Sequence, residues 1–516
     1  MGVLPSRLHT ILITIYVLSQ IAYCTLLSYS VNEKAALVAE LRGRSGTLAV
    51  LNMIPLFLFA GRNNALIWLL GVSFDTYNTF HRWLGRMVAI ESIVHTTAWF
   101  VNAINEQSFS DAIKRVQDTP FFGWGTVGTA AMILLITHSP SPIRHAFYET
   151  FLHLHQFAAL LAVVGVYLHL HLDSLPQRPW IYLIIFIWIF ERFMRWYRRF
   201  SVNFNLRGGG STRVIIKALP GEACRVTFHL PHRINVKPGS HVYAFFPTIS
   251  WWMSHPFSVA WVDPSTCITP PSHPTAAWNE TYNPYDRKNS NQYIGLSDLE
   301  KQNYMVNELR HGNKQKTSLS LVIAARTGMT RKLYNKALAC PNSTLRTYGF
   351  IEGPYNSHTC PMGSYGTVIL FSGGAGITHH MLHVRDLLLR AEDGCVATQR
   401  IYLIWSIRST EALNWVREWM DAILQLPNRR QLLVIKLFIS KPKTQHEIKS
   451  PSETVQMFPG RCRPSVVLEE ALQKRVGATV VSVCGPGAFT DEVRAATREC
   501  MDRGMSLDFV EESFTW

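Results

Sequence analysis

The chain has 516 residues, 47% of them hydrophobic, with 50 Lys and Arg against 35 Asp and Glu for a formal net charge of +15. That length exceeds a single core, and the crowding of apolar residues into the first 200 positions predicts separate membrane and soluble domains. The positive charge does not point to nucleic acid, because no basic stripe interleaved with aromatics occurs; it suits a soluble domain held against an anionic leaflet. The nine cysteines are scattered without metal-type spacing, Cys24 within an apolar run and the rest in the predicted cytosolic part, which excludes a disulfide framework.

Apolar runs of spanning length or close to it occupy Leu8 to Tyr29, Gly46 to Ala60, Thr79 to Asn102, Phe122 to Thr137, Ala146 to Leu172 and Trp180 to Arg198. Six spans are predicted. The second is short and is followed by Arg62 and an interfacial stretch from Ala65 to Val72. The first begins too close to Met1, runs too long and lacks a small-residue cleavage site, so it reads as a signal anchor rather than a removed signal peptide. Arg192, Arg195, Arg198 and Arg199 crowd the end of the last span and assign that end, with everything after it, to the cytosol. Six spans then place the N-terminus in the cytosol too. Arg62 and Arg144 agree with this orientation, whereas Arg42 and Arg44 fall outside.

The third and fifth spans each carry two histidines fourteen residues apart, His81 with His95 and His155 with His169. Along an α-helix that separation is about 21 Å of rise and just under four turns, so each pair occupies one face. Ionisable groups inside a span are costly and tend to be functional. Two such helices side by side hold two stacked b-type haems, with imidazole nitrogen on the iron. Since the two spans run in the same direction, His81 pairs with His155 and His95 with His169. His153 and His171 lie about 200° around the helix from their neighbours and face elsewhere. Arg82 and Arg86 beside His81 are either haem-propionate partners or ordinary positive-inside anchors.

From Arg213 to Trp261, short β-branched and aromatic runs broken by Pro and Gly predict a small antiparallel barrel. Within it His255, Pro256, Phe257 and Ser258 form HPFS. A flavin needs a flat residue against its ring and a hydroxyl near its reactive nitrogen, and Phe257 and Ser258 fit those needs, with His255 shaping the site. After the run LSLVIAA, Gly328 and Thr330 open a helix whose positive end suits a flavin pyrophosphate; a plain turn with a capping threonine is the alternative. Asp263 to Ser318, rich in Pro, Asn, Ser and Thr, reads as a long mobile insertion in a barrel connection (264–318).

From Gly366 onward strands and helices alternate, which predicts a parallel sheet with helices on both faces. Nucleotides bind at the carboxyl ends of such strands. The first strand ends in SGGAGIT, where Ser372, Gly373, Gly374, Gly376 and Thr378 form a pyrophosphate turn. Arg408, after the second strand, is placed for a 2′-phosphate and favours NADPH over NADH. The fourth strand ends in Cys484, Gly485 and Pro486, where the nicotinamide enters. The terminal SFTW supplies an aromatic cover for the flavin, Trp516 first and Phe514 second.

HRWLGR with His81, the YETF run leading to His155, HPFS, FSGGAGIT, CGPG and the terminal DFVEESFTW resemble the fungal ferric-chelate reductases, in the superfamily that includes the NADPH oxidases. The resemblance spans nearly the whole chain. It implies a six-helix transmembrane haem bundle at 1–200, an FAD-binding antiparallel β-barrel at 201–360 and a Rossmann-like α/β NADPH-binding domain at 361–516. Electrons would pass from NADPH to FAD, inner haem, outer haem and an external ferric or cupric chelate. Many fungal members carry an extra N-terminal ectodomain and span ahead of the core at which this sequence begins.

The expected setting is the plasma membrane, with the vacuolar membrane as the alternative. A superoxide-forming NADPH oxidase is the nearest rival; the short stretch Asp173 to Pro179 leaves little protein to cap the outer haem, which suits a bulky chelate better than oxygen. A transporter with proton-relay histidines explains the spans but not the nucleotide-binding half.

Overall fold

The computed structural model describes residues 7–30, 33–205, 210–251, 253–265, 316–355, 360–443, 448 and 450–512, the side chains of residues 145, 264, 265 and 316 excepted. The chain divides into two compact units, the first mainly Met1–Arg198, the second Arg199–Asn356 with Pro361–Glu511.

The first unit is helical: α1 (Arg7–Thr25), α2 (Lys34–Ala60), α3 (Ala65–Leu70), α4 (Phe74–Glu106), α5 (Phe109–Asp118), α6 (Pro120–His138), α7 (Ser141–Ala146), α8 (Tyr148–Leu172) and α9 (Arg178–Asn203). Local chemistry sets several starts. The Ser73 and Ser108 side chains accept from the amides of Thr76 and Asp111, and Pro120 opens α6. Met53, Val88, Ala89, Met132, Ala162 and Ile184 bring α2, α4, α6, α8 and α9 into one apolar cluster.

Five helices, α1, α2, α4, α6 and α8, are long and apolar enough to cross a membrane. The sixth predicted span falls on α9, 26 residues long, whose apolar run gives way to Glu191, Arg192, Arg195 and Arg198. Glu191 turns inward to accept from the amides of Arg62 at 3.0 Å and Asn63 at 3.2 Å, capping the loop after α2.

The second span is not short: α2 runs for 27 residues. Glu40, Arg42 and Arg44 interrupt its apolar pattern, but Arg44 pairs with Glu40 one turn back at 2.6 Å and donates to the carbonyls of Tyr23 and Leu26 at 2.8 Å. Those contacts satisfy the charge at the end of α1 and let the helix start at Lys34. The interfacial stretch becomes α3, with Trp68, Leu69 and Leu70 exposed.

The second unit opens with a two-stranded ribbon, β1 (Phe204–Asn205) with β2 (Gly210–Ser211). Then follow β3 (Arg213–Leu219), β4 (Ala223–His229), β5 (His241–Phe245), β6 (Ser254–Ser258), β7 (Trp261–Ser265), β8 (Lys316–Ala324), helix α10 (Gly328–Leu338), β9 (Thr344–Tyr348) and β10 (Phe350–Tyr355). They form two antiparallel sheets, β7-β8-β4-β3-β9 and β10-β5-β6, which share a core holding Val226, Phe228, Val242, Ala244, Leu321 and Ile351. The predicted insertion is shorter than 264–318, because Pro264 and Ser265 pair with Thr317 and Lys316 in the β7–β8 ladder. Its remainder lies outside the described residues.

The last part is a six-stranded sheet, in chain order β11 (Thr367–Gly373), β12 (Arg400–Ile407), β13 (Leu433–Ile439), β14 (Val455–Pro459), β15 (Thr479–Cys484) and β16 (Asp508–Glu512). Its spatial order is β14-β13-β12-β11-β15-β16, and the pairs from β14 to β15 are parallel. The helices are α11 (Ile377–Glu392), α12 (Arg417–Leu424), α13 (Arg429–Leu432), α14 (Pro464–Gln473) and α15 (Gly487–Asp502). The helical stretch after β12 breaks at Val416 into a 3-10 turn (Thr410–Trp415) and α12. Strand β14 was not anticipated: it is short, ends in Pro459 and sits at the sheet edge, where proline is tolerated. The CGPG strand is therefore fifth rather than fourth.

Across this unit Arg385, Trp261, Trp419 and Arg225 form a continuous stack. The indoles lie 6.0 Å apart at 7°, and the guanidinium carbons sit 4.4 and 4.7 Å from the outer ring centres. It ties β4 and β7 to α11 and α12, a join worth roughly 0.5–2 kcal/mol per cation–π contact.

Candidate functional site

The two long-range histidine pairs meet as their spacing predicts. His81 and His155 have ring centroids 6.3 Å apart, and His95 and His169 have theirs 6.2 Å apart. Two imidazoles on opposite sides of one metal ion would have centroids about 6.2 Å apart, from metal–nitrogen bonds of about 2.0 Å and about 1.1 Å more to each ring centre. His153 and His171 are exposed, away from both pairs.

What holds these rings was not visible in the pattern. His81 Nδ1 lies 3.0 Å from the Leu56 carbonyl, His95 Nδ1 2.8 Å from that of Arg42, and His169 Nδ1 2.9 Å from that of Phe121. A carbonyl only accepts, so each Nδ1 carries the proton and each neutral ring keeps its lone pair on Nε2. His155 is held by packing, between Phe151 at 5.3 Å and His138 at 5.6 Å.

Access to two of those carbonyls depends on glycine. Gly46 lies one turn after Arg42, and a Cβ there would be 2.5 Å from His95 Nδ1; Gly125 lies one turn after Phe121, and its Cβ would be 2.8 Å from His169 Nδ1. The two helices flanking the pairs therefore use the same device, a bare turn that admits an imidazole to the carbonyl beneath it. Beside His81, Arg86 lies over the Trp83 ring at 4.6 Å, whereas the Nε atoms of Arg82 and Arg144 are buried without a hydrogen-bond partner.

In the second unit HPFS is the edge strand β6, paired with β5 so that Phe257 faces Val242 and Ser258 faces His241. Phe257 packs against the apolar core. Strand alternation puts Pro256 and Ser258 on the opposite face with His241 and Tyr243, so Phe257 and Ser258 do not address one ring from the same side. At α10, Thr330 Oγ1 accepts from the Arg326 amide at 3.0 Å and donates to the Thr327 carbonyl at 3.2 Å. Its hydroxyl closes the turn; the amides around Gly328 are what an anion would meet.

The glycine turn and CGPG come together, since β11 and β15 are neighbours and the strand order reverses between them, as a nucleotide crevice requires. A Cβ on Gly376 would be 2.1 Å from the Cys484 carbonyl oxygen, and one on Gly373 2.7 Å from Pro486 Cδ. Ser372 and Thr378 point elsewhere: Ser372 Oγ bonds His380 Nδ1 at 2.7 Å, and Thr378 Oγ1 donates to the Ala375 carbonyl at 2.8 Å. That leaves the backbone of Gly374, Ala375 and Gly376 to face a ligand. Arg408 is exposed at the end of β12, and Cys484 is buried. Phe514 and Trp516 lie outside the described residues.

His379, His380 and His383 at the start of α11 were not singled out from sequence, and all three are buried. His380 Nε2 also reaches Ser482 Oγ at 3.1 Å, tying β11 to β15 beneath the turn. Burial holds all three below the ordinary histidine pKa, His383 at about 4. In an unfolded chain the same rings titrate near 6.5, so as pH falls below that value the unfolded state binds protons that the folded one refuses. Stability is therefore complete above about pH 6.5 and falls toward pH 4, by up to about 1.4 kcal/mol per pH unit for each such ring. The melting temperature of the nucleotide-binding half, followed in the whole protein by flavin fluorescence, is expected to drop over that window. In His383→Gln the drop should be shallower by one ring; an unchanged slope would refute the assignment.

Three family models match the chain in order: "Ferric reductase like transmembrane component" over residues 45–166, "FAD-binding domain" over 210–267 and "Ferric reductase NAD binding domain" over 365–498. Among curated proteins it is 24% identical over its whole length to ferric/cupric reductase transmembrane component 2 of Saccharomyces cerevisiae, covering 68% of that protein. It is 25% identical over 92% of its length to ferric reductase transmembrane component 3 of the same yeast, covering 61%, and 24% identical over its whole length to a probable ferric reductase transmembrane component of Candida albicans, covering 72%. With these three modules in this order and the curated relatives aligned along the chain, it carries the transmembrane, FAD-binding and NAD-binding domains of a ferric reductase, an NAD(P)H-dependent oxidoreductase.

Proposed function

We propose that the chain carries electrons from NADPH through FAD and two b-type haems across a bilayer to a ferric chelate on the far side, with cupric chelates as a second acceptor. The observation that carries this reading is the pair of cross-helix imidazole contacts at 6.3 and 6.2 Å with their rings aligned by backbone carbonyls. Each pair would give an iron two imidazole nitrogens, and a porphyrin would supply its remaining ligands.

Bound NADPH would supply hydride, FAD would split its electron pair and haem iron would carry single electrons. The protein's share is to hold and orient. His81 and His155 would hold one iron and His95 and His169 the other, at two levels fourteen residues apart along α4. Arg82 and Arg144 meet the propionates at the His81 level. Pro256 and Ser258 line the flavin edge, His255 shapes it, and the turns at Gly328 and Gly373–Gly376 receive the two pyrophosphates. Cys484, Gly485 and Pro486 border the nicotinamide, Arg408 meets the 2′-phosphate, and Trp516, with Phe514 second, covers the flavin.

In this reading α9 is a sixth span, segments 1–200, 201–360 and 361–516 serve haem, FAD and NADPH, and the soluble half is cytosolic at a plasma membrane. Only residues 173–177 join α8 to α9, which leaves the outer haem edge open to a bulky chelate. The test is NADPH-dependent ferric reduction by the purified protein with and without superoxide dismutase. Equal rates are expected; loss of reduction with the dismutase would make superoxide the carrier and overturn the choice of acceptor. A reduced-minus-oxidised spectrum without a b-type signal would overturn the ladder itself.

A further inference from the structure

Between the two histidine levels of α4 lies a carboxyl group that electron transfer as described does not use. Glu91 is 3% exposed and sits one turn from His95 on the side of α4 that faces α2. Its oxygens accept from Asn52 Nδ2 at 2.9 and 3.0 Å, and the same amide reaches Gln20 Oε1 at 3.0 Å. Among the described residues no Lys, Arg or His pairs with it; the titratable groups that face it, both from α1, are the Tyr16 phenol and the Cys24 thiol. The Tyr16 hydroxyl is buried without a hydrogen-bond partner. It lines a cavity of about 250 Å³ with Asn52, Pro55, Phe59, Phe80 and Trp83.

A lone carboxylate in a span costs several kcal/mol unless something compensates it. One amide group is thin compensation, and a ferric haem one turn away supplies the rest only while it is oxidised. We infer that Glu91 is a redox-linked proton site: when one electron reduces the haem held by His95 and His169, the carboxylate takes one proton from water and becomes a neutral acid. When the electron leaves for the external acceptor, the proton is released. Charge balances at each step, one electron with one proton. The inference rests on the haem reading above.

The test is spectroelectrochemical titration of both haems in wild type and Glu91→Gln as a function of pH, with redox-difference infrared spectra of the same samples. In the wild type one haem's midpoint potential should fall as pH rises, toward the limit of about 59 mV per tenfold change in proton activity for one proton per electron. Reduction should raise a protonated-carboxyl band. Glu91→Gln, isosteric and neutral, should abolish both the slope and the band while retaining both haems. Asn52→Leu removes the only donor among the described residues and should abolish the slope while leaving the band present in both redox states. Two haems whose pH slope is the same in Glu91→Gln as in wild type would overturn this inference alone. A wild type without haem would overturn the parent reading and this with it.

Discussion

In His95→Ala the purified protein is expected to keep FAD and one haem of its two, and NADPH-dependent ferric reduction is expected to fall to background. In the proposed reading the imidazole would be one of two protein ligands at its level, facing His169 at 6.2 Å, and alanine offers no donor. The second unit has its own core, so the flavin site should be indifferent to the change. His81 and His155, on the next level, keep their contact at 6.3 Å. NADPH should therefore still reduce the flavin and the remaining haem, with the electrons stranded there. Pyridine haemochrome stoichiometry and flavin content on the same sample measure this. A graded counterpart is Gly125→Val, whose side chain would displace the His169 ring from the Phe121 carbonyl; losing such a partner weakens metal sites by roughly 10–100-fold, so haem should dissociate faster without being absent at purification. Full haem content in His95→Ala would remove His95 from the ligand set.

The two cross-helix histidine contacts were legible because helical periodicity is rigid: fourteen residues return to one face whatever the rest of the chain does. The carbonyls that orient the rings were not, since they lie 53 and 48 residues from their partners, and a glycine opposite a histidine leaves no periodic trace. Glu91 and Asn52 had a signal that went unread, a carboxyl and an amide within apolar spans. The start of α2 was missed because hydropathy scores Arg44 as a break, whereas its charge is met by Glu40 and the end of α1.

In the soluble half the parallel sheet was legible, because strands buried on both faces are near-continuous apolar runs. Strands β9 and β10 were not read: Thr344–Tyr348 alternates polar with apolar at a sheet edge, and Phe350–Tyr355 contains Gly and Pro. The site residues divide along the same line. Motif glycines act through backbone position and fall where expected, while Ser372, Thr378 and Thr330 were assigned to ligands by residue type and are engaged with their own chain.

Gly376→Ala should reduce NADPH-driven flavin reduction by at least about 100-fold, the scale on which a misplacement of 1 Å acts on an oriented reaction. The backbone at Gly376 has φ −61° and ψ −15°, ordinary for alanine, so the effect is steric alone. Its Cβ would meet the Cys484 carbonyl oxygen at 2.1 Å, the Cys484 carbonyl carbon at 2.6 Å and the Gly485 amide nitrogen at 3.1 Å. All three are backbone, with no side chain to rotate away, so the start of α11 must retreat from the end of β15 and the crevice at the strand reversal must widen. Gly394→Ala, past the end of α11, separates this from mere glycine loss: its Cβ meets nothing within 4 Å, but φ is +68°, and the left-handed strain costs about 1–2 kcal/mol away from the crevice. Stopped-flow reduction of the flavin by NADPH should therefore collapse in Gly376→Ala and change little in Gly394→Ala, and both variants should pass electrons to ferric chelate when the flavin is reduced chemically. Unaltered NADPH kinetics in Gly376→Ala would show that the nucleotide does not bind between β11 and β15.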